Sequence, residues 1–184
     1  MKFFLTRHCE TDCNRQWRLQ GHSDTDLNEN GWMQAEELAE KLKDLGIKKI
    51  VSSDLKRSIQ TASILARYLK VPFSNDARLR ECAFGMLEGK KRDEVLKLYE
   101  PRRVDMEENG LWHGSFRDYD FGEFGGESRD QVLGRQISLL EELYTNETPE
   151  PTLLVGHGTS LNTLLTRLNK PHLERGEWQE IDYP

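Results

Sequence analysis

Arg7-His8, Arg57 and Gly156-His157-Gly158 are the residues of this chain whose types and placement best suit work on a phosphate. Arginine carries a permanent charge and a planar fork of donors that matches phosphate oxygens. Neutral imidazole is nucleophilic near pH 7, and its attack on phosphorus gives a phosphohistidine that water then hydrolyses, splitting one hard step into two. The leaving alkoxide needs a proton. Glu81, in Leu79-Arg80-Glu81-Cys82-Ala83-Phe84-Gly85, is the candidate donor, because like charge keeps a carboxyl facing a phosphate dianion protonated. The glycines beside His157 let backbone approach closely, and a helix opening at Gly158 and Thr159 adds end N–H groups that suit an anion.

These groups converge only if the elements carrying them do. Lys2 to Thr6 is an apolar run that reads as a strand ending at Arg7-His8. Ala35, Leu38, Ala39, Leu42 and Leu45 follow helical spacing up to a stop at Gly46. Ile47 to Val51 reads as a second strand, with Ser52-Ser53-Asp54 as cap candidates for a helix bearing Ile59, Ala62, Ala66 and Leu69, which Pro72 prevents from continuing. Ser128 and Gln131 have capping-box spacing ahead of a stripe of Leu133, Ile137, Leu140 and Tyr144. Thr152 to Val155 is a third strand, and Leu161, Leu164, Leu165 and Leu168 place a last helix from about Thr159 or Ser160.

Strands alternating with helices predict an α/β fold, a three-layer sandwich with a mainly parallel central sheet and helices on both faces. Such sheets bind ligands at the carboxyl ends of their strands, where Arg7, His8 and His157 all fall, with Arg57 early in the helix after the second strand. The stretch from about 90 to 126 fits neither period and reads as an excursion over the sheet edge. Its Trp112, His113, Phe116, Tyr119, Phe121 and Phe124 would either line a pocket or tuck the excursion onto the body.

Composition narrows the classes. The chain has 184 residues, 36% of them hydrophobic, which predicts one domain over 1–184. Its net charge of -6 argues against nucleic acid, so an anionic ligand must meet a local basic cluster. No apolar run reaches the roughly 18 residues of a membrane span, and Arg7 comes too early for a signal peptide, so a cytoplasmic protein is expected. Cys9, Cys13 and Cys82 have neither zinc spacing nor an even count, so reduced thiols and no metal are expected. His22, His113 and His172 lack ligand-like spacing, Glu88 reads as structural, and Trp17, Trp32, Trp112 and Trp178 read as packing residues, with Trp112 also placed to touch substrate.

Five motifs together resemble the histidine phosphatase superfamily, the phosphoglycerate mutase-like enzymes, over nearly the whole chain. Arg7-His8-Cys9-Glu10-Thr11 is similar to R-H-G-E-T, and Ser52 to Arg57 with Gln60-Thr61-Ala62 is similar to the family's second arginine motif. Leu79 to Gly89 resembles the segment carrying the family's acid, Gly125-Gly126-Glu127-Ser128 a recurrent turn, and Gly156-His157-Gly158 the second histidine. The resemblance implies His8 as nucleophile, Glu81 as proton donor, and Arg7, Arg57 and His157 holding the phosphoryl group, with Asn14 and Gly21 near the phosphate. It implies no metal or cofactor. The substrate implied is a small phosphorylated metabolite, as in the α-ribazole phosphatases and the broad phosphosugar or nucleotide phosphatases that this short form resembles. The protein is expected to act as a monomer or homodimer.

Other readings compete. Cys9 to Arg15 satisfies the C-x5-R spacing of cysteine-dependent phosphatases, but Glu10 and Asp12 bring negative charge to that loop and no glycine helps it curl. A cofactor-dependent phosphoglycerate mutase would use the same phosphohistidine. Mutases, however, resemble E-R-H-Y-G where this chain has Glu81-Cys82-Ala83-Phe84-Gly85, although Arg102-Arg103 offers replacement charge. A phospholigand-binding protein without turnover would be expected to have lost His8 or Glu81. Finally, Cys9 replaces the family's glycine beside a pocket whose positive charge favours a thiolate, so redox sensitivity of the site is a hypothesis that the sequence raises and does not decide.

Overall fold

The computed structural model describes residues 1–98 and 120–183. Five strands form one sheet: β1 (Lys2–Arg7), β2 (Lys49–Ser52), β3 (Phe73–Asn75), β4 (Thr152–Gly156) and β5 (Trp178–Asp182). Their order is β3-β2-β4-β1-β5, parallel throughout except for the antiparallel edge strand β5. The main helices are α2 (Glu29–Leu42), α3 (Lys56–Leu69), α4 (Arg129–Thr145) and α5 (Gly158–Arg167), and a short α1 (Asp12–Arg15) follows β1.

Alternation along the strands separates two cores. Phe4, Ile50, Leu153 and Val155 face α2 and α3, packing on Ala35, Leu38, Leu42, Ala62 and Leu65. Phe3, Leu5, Val51 and Leu154 face α4 and α5, packing on Leu139, Leu140, Leu161, Leu164 and Leu165. The expected three-layer α/β sandwich is therefore present. A third cluster, of Leu19, Cys82, Phe84, Leu87, Val95, Phe121 and Val132, sits beyond the carboxyl ends of the strands.

The helix ends correct one expectation. Ser128 and Gln131 form the predicted capping box of α4, and Gly46 ends the α2 segment in the left-handed region at φ 68°. Ser52, Ser53 and Asp54 do not cap α3, whose N-cap position is Leu55. Asp24, from a distant loop, accepts from Lys56 N at 2.7 Å instead, which ties that loop to the site described below. Of the excursion's aromatics, Phe121 is buried edge-on against Phe84 at 4.8 Å between centroids, and Phe124 packs in the same cluster, so both tuck the chain down. Trp112, His113, Phe116, Tyr119 and Arg102-Arg103 lie outside the described residues.

Candidate active site

β1 and β4 are adjacent and parallel, with Arg7 paired to Gly156 and His8 N donating to Gly156 O at 2.9 Å. Each strand delivers its next residue to the same end of the sheet, so the rings of His8 and His157 stand 5.0 Å apart. Arg7, His8, Asn14, Arg57, Glu81 and Thr159 line one cavity of about 200 Å³. His157, Gly158 and Gly21 are not among the residues that line it.

His8 is buried, and its Nδ1 lies 2.7 Å from Cys9 O. A carbonyl only accepts, so Nδ1 carries the proton and Nε2 keeps its lone pair. Burial, then the charges of Arg57 and Arg7, push the His8 pKa well below the ordinary imidazole value. His157 is driven down by burial, Arg57 and His8, and its Nε2 lies 3.4 Å from Ser58 Oγ. Both rings are thus neutral at pH 7.

Arg57 has no exposed surface. It donates to Ser23 O at 2.7 Å and Gly21 O at 2.8 Å, while its buried Nε has no partner among the described residues. Gly21, expected beside the phosphate, instead offers its carbonyl to Arg57 and sits at φ 53° where a Cβ would strike Glu88. Glu88 is structural as read, accepting from His22 N and Ser23 Oγ. Arg7 lies across Gly158, where a Cβ would stand 2.6 Å from its Nη2. Its Nη1 is 3.5 Å from a Glu174 carboxylate oxygen.

Glu81 occupies the N-terminus of α5. Its Oε1 accepts from Ser160 N at 2.8 Å and Cys82 N at 2.9 Å, and its Oε2 from Thr159 N at 3.1 Å. The Thr159 N–H expected to face a phosphate is therefore taken by Glu81, together with the Ser160 N–H that follows it. Oε1 has both lone pairs engaged, whereas Oε2 has one free to carry a proton. Arg135 and His22 hold the Glu81 carbonyl, each at 2.9 Å, and Arg135 is itself paired with Glu127. Asn14 Oδ1 accepts from the backbone and hydroxyl of Thr11, leaving Nδ2 without a partner among the described residues.

The sequence reading missed Trp17, Arg18, Gln20, Arg92 and Arg175, all of which line the cavity. Five arginines thus surround it in a chain of net charge -6. Arg92 and Arg175 lie outside the pattern of strand ends, so no local signal pointed to them. Trp17, expected to pack, is 68% exposed, and Trp32, also expected to pack, is 45% exposed. Trp178 does pack, edge-on against Phe4. Cys9 has no exposed surface, and burial pushes its thiol up to about 11, so the lowered pKa expected of it is overturned. The cationic pocket lies beside Cys9, but its thiol points into the apolar core.

A model of the histidine phosphatase superfamily (branch 1) matches residues 3–183. A protein of Citrobacter koseri named Probable phosphoglycerate mutase GpmB is 38% identical over 168 residues, covering 91% of this chain and 74% of that one. Among solved structures, a mycobacterial glucosyl-3-phosphoglycerate phosphatase has a TM-score of 0.80 at 30% identity, covering 98% of this chain and 90% of that one. Bacillus stearothermophilus YhfR has a TM-score of 0.79 at 26% identity, covering 100% and 91%.

Proposed function

The chain belongs to the histidine phosphatase superfamily, and from that membership we propose that it hydrolyses small phosphomonoesters through a phosphohistidine on His8. The observation that carries the reading is the state of His8. Its Nε2 lone pair is kept available by the Nδ1 bond to Cys9 O, and by burial and then the two arginines, which oppose protonation.

In this reading Arg7, Arg57 and Asn14 Nδ2 hold the phosphoryl oxygens, with the His157 ring 5.0 Å behind His8 and Gly158 giving the Arg7 guanidinium its room. His8 Nε2 attacks phosphorus, the P–O bond to the alcohol breaks, and Glu81 gives the leaving oxygen its proton from Oε2. Water then attacks the phosphohistidine while Glu81 takes a proton back, releasing inorganic phosphate. The fixed guanidinium charges stabilise the equatorial oxygens as the phosphoryl group moves, with little reorganisation. No step calls for a metal.

The mutase remains the second reading because a relative carries that name. Against it, Cys82 is buried with its Sγ directed to the carbonyls of Ala83 and Glu127, so it gives the cavity no donor where mutases resemble arginine. The test is phosphate release from α-ribazole phosphate, phosphosugars, nucleotides and 3-phosphoglycerate, comparing wild type with His8→Ala. Release lost in the variant, with an acid-labile phosphoenzyme trapped in wild type, supports the phosphatase. Interconversion of 3- and 2-phosphoglycerate with a bisphosphate primer, without release, would establish the mutase. Binding with neither would leave a phospholigand-binding protein.

A further inference from the structure

We infer that the Trp17 indole is a stacking platform at the cavity mouth, and that the preferred phosphomonoester carries a planar aromatic ring on its alcohol. This rests on the phosphomonoester reading above and narrows it.

Trp17 stands immediately beyond α1 and its C-cap Gln16. Its N–H donates to Asn14 O at 3.0 Å, and Arg18 N–H donates to Cys13 O at 2.8 Å. That pair of bonds closes a helix with a left-handed residue, a place suited to glycine. Trp17 holds φ 57° there, which strains a bulky side chain. The segment is pinned from the other side as well, since Arg92 N donates to Trp17 O at 2.8 Å and Leu19 N to Lys90 O at 3.0 Å.

The indole returns little to the folded protein. It is 68% exposed, its ring packs on no other ring among the described residues, and it makes no side-chain hydrogen bond there. Yet it lines the same cavity as His8 and Arg57. A strained, largely exposed tryptophan on a fixed backbone at the rim is accounted for by a surface that a ligand covers. Leu19 and Phe84 add apolar wall, and the Arg92 and Arg18 guanidiniums give that rim a cationic edge. A flat, electron-rich heterocycle fits indole and arginine alike.

The test compares adenosine 5′-monophosphate with ribose 5-phosphate, which differ by the adenine ring. 1-Naphthyl phosphate serves as a ring without the sugar. Trp17→Gly suits the left-handed backbone, and a thermal melt checks that it folds. Wild type is expected to favour each ring-bearing ester over ribose 5-phosphate by about tenfold in kcat/KM, expressed mainly in KM. Trp17→Gly is expected to bring that ratio close to one. A ratio unchanged by the substitution overturns the inference and leaves the phosphatase reading standing. If no ester releases phosphate, the phosphatase reading fails, and titration calorimetry of the same ligands still decides. Ring-dependent affinity lost in Trp17→Gly then upholds the platform, and equal affinity overturns it.

Discussion

The Glu81 carboxylate sits on the first turn of α5, with Oε1 accepting the Ser160 N–H at 2.8 Å and Oε2 the Thr159 N–H at 3.1 Å. These bonds span 79 and 78 residues of sequence, so one side chain both closes the end of a distant helix and faces the cavity. Glu81→Gln separates the two duties. The amide keeps an acceptor for Ser160 but turns an NH₂ toward Thr159 N–H or the reverse, leaving a buried donor unpaired. A stability loss of about 1–2 kcal/mol is expected in chemical denaturation. The amide cannot donate a proton as an acid, so kcat is expected to fall about 100-fold or more for esters of poor leaving groups. Activity near wild type would remove Glu81 from the chemistry.

Gly158 is a sharper probe of Arg7. A Cβ there would stand 2.6 Å from Arg7 Nη2 and 2.8 Å from its Cζ, too close for either to stay put. Gly158 is the first residue of α5, a position where alanine suits the backbone. Gly158→Ala should therefore retain its melting temperature while displacing a guanidinium proposed to bind phosphate. The expected result is a drop in kcat/KM of about tenfold to a hundredfold, with weaker inhibition by inorganic phosphate. Unaltered kinetics would mean that Arg7 tolerates the shift or does not hold the phosphoryl group.

The strand ends made part of this legible in sequence. Lys2 to Thr6 and Thr152 to Val155 are apolar runs that must be central strands, and adjacent parallel strands bring His8 and His157 together. What stayed hidden lacks such a pattern. β3 is exposed at all three residues, and β5 is an edge strand with only Ile181 buried, so neither shows the alternation of a half-buried strand. Asp24 at the start of α3 and Glu81 at the start of α5 act across distance, where local capping rules look only at neighbouring residues. Arg175 reaches the cavity from the loop after α5, 3.6 Å from Glu10 at its Nη1, and only the folded chain shows it there.

Burial decides the chemistry of Cys9. Its thiol is pushed up to about 11 by loss of solvent, against smaller opposing effects from Thr61 and Arg175. Thiolate is the reactive form, so Cys9 is expected to be inert at neutral pH. Cys82 is buried and shifted upward as well, while Cys13 is partly exposed. Iodoacetamide at pH 7.5 should modify Cys13 in the native protein and leave Cys9 and Cys82 untouched by mass spectrometry. Mild peroxide should leave activity intact. Loss of activity that reductant restores and that Cys9→Ser abolishes would contradict this.

His8 and His157 both have folded-state pKa values well below 6.5, chiefly through burial and then through Arg57. The unfolded chain binds protons at these rings as pH falls through about 6.5, whereas the folded chain excludes them until lower pH. Unfolding therefore takes up protons in that window. Stability is complete above pH 6.5 and declines as pH drops below it. Each excluded proton is worth about 1.4 kcal/mol per pH unit. Two rings thus predict a melting temperature several degrees lower at pH 5.5 than at pH 7.5, by roughly 2–4 °C per kcal/mol. The carboxylates held low, such as Asp54 beside Arg80, titrate below this range and do not obscure it. Replacing His8 by glutamine should remove about half of the slope. The same shift keeps His8 neutral in mild acid, so the acidic limb of kcat/KM should fall below pH 6.5, with an optimum on the acid side of neutrality. A melting temperature that rises on acidification, or an acidic limb above pH 6.5, would show that the two rings are not shielded in this way.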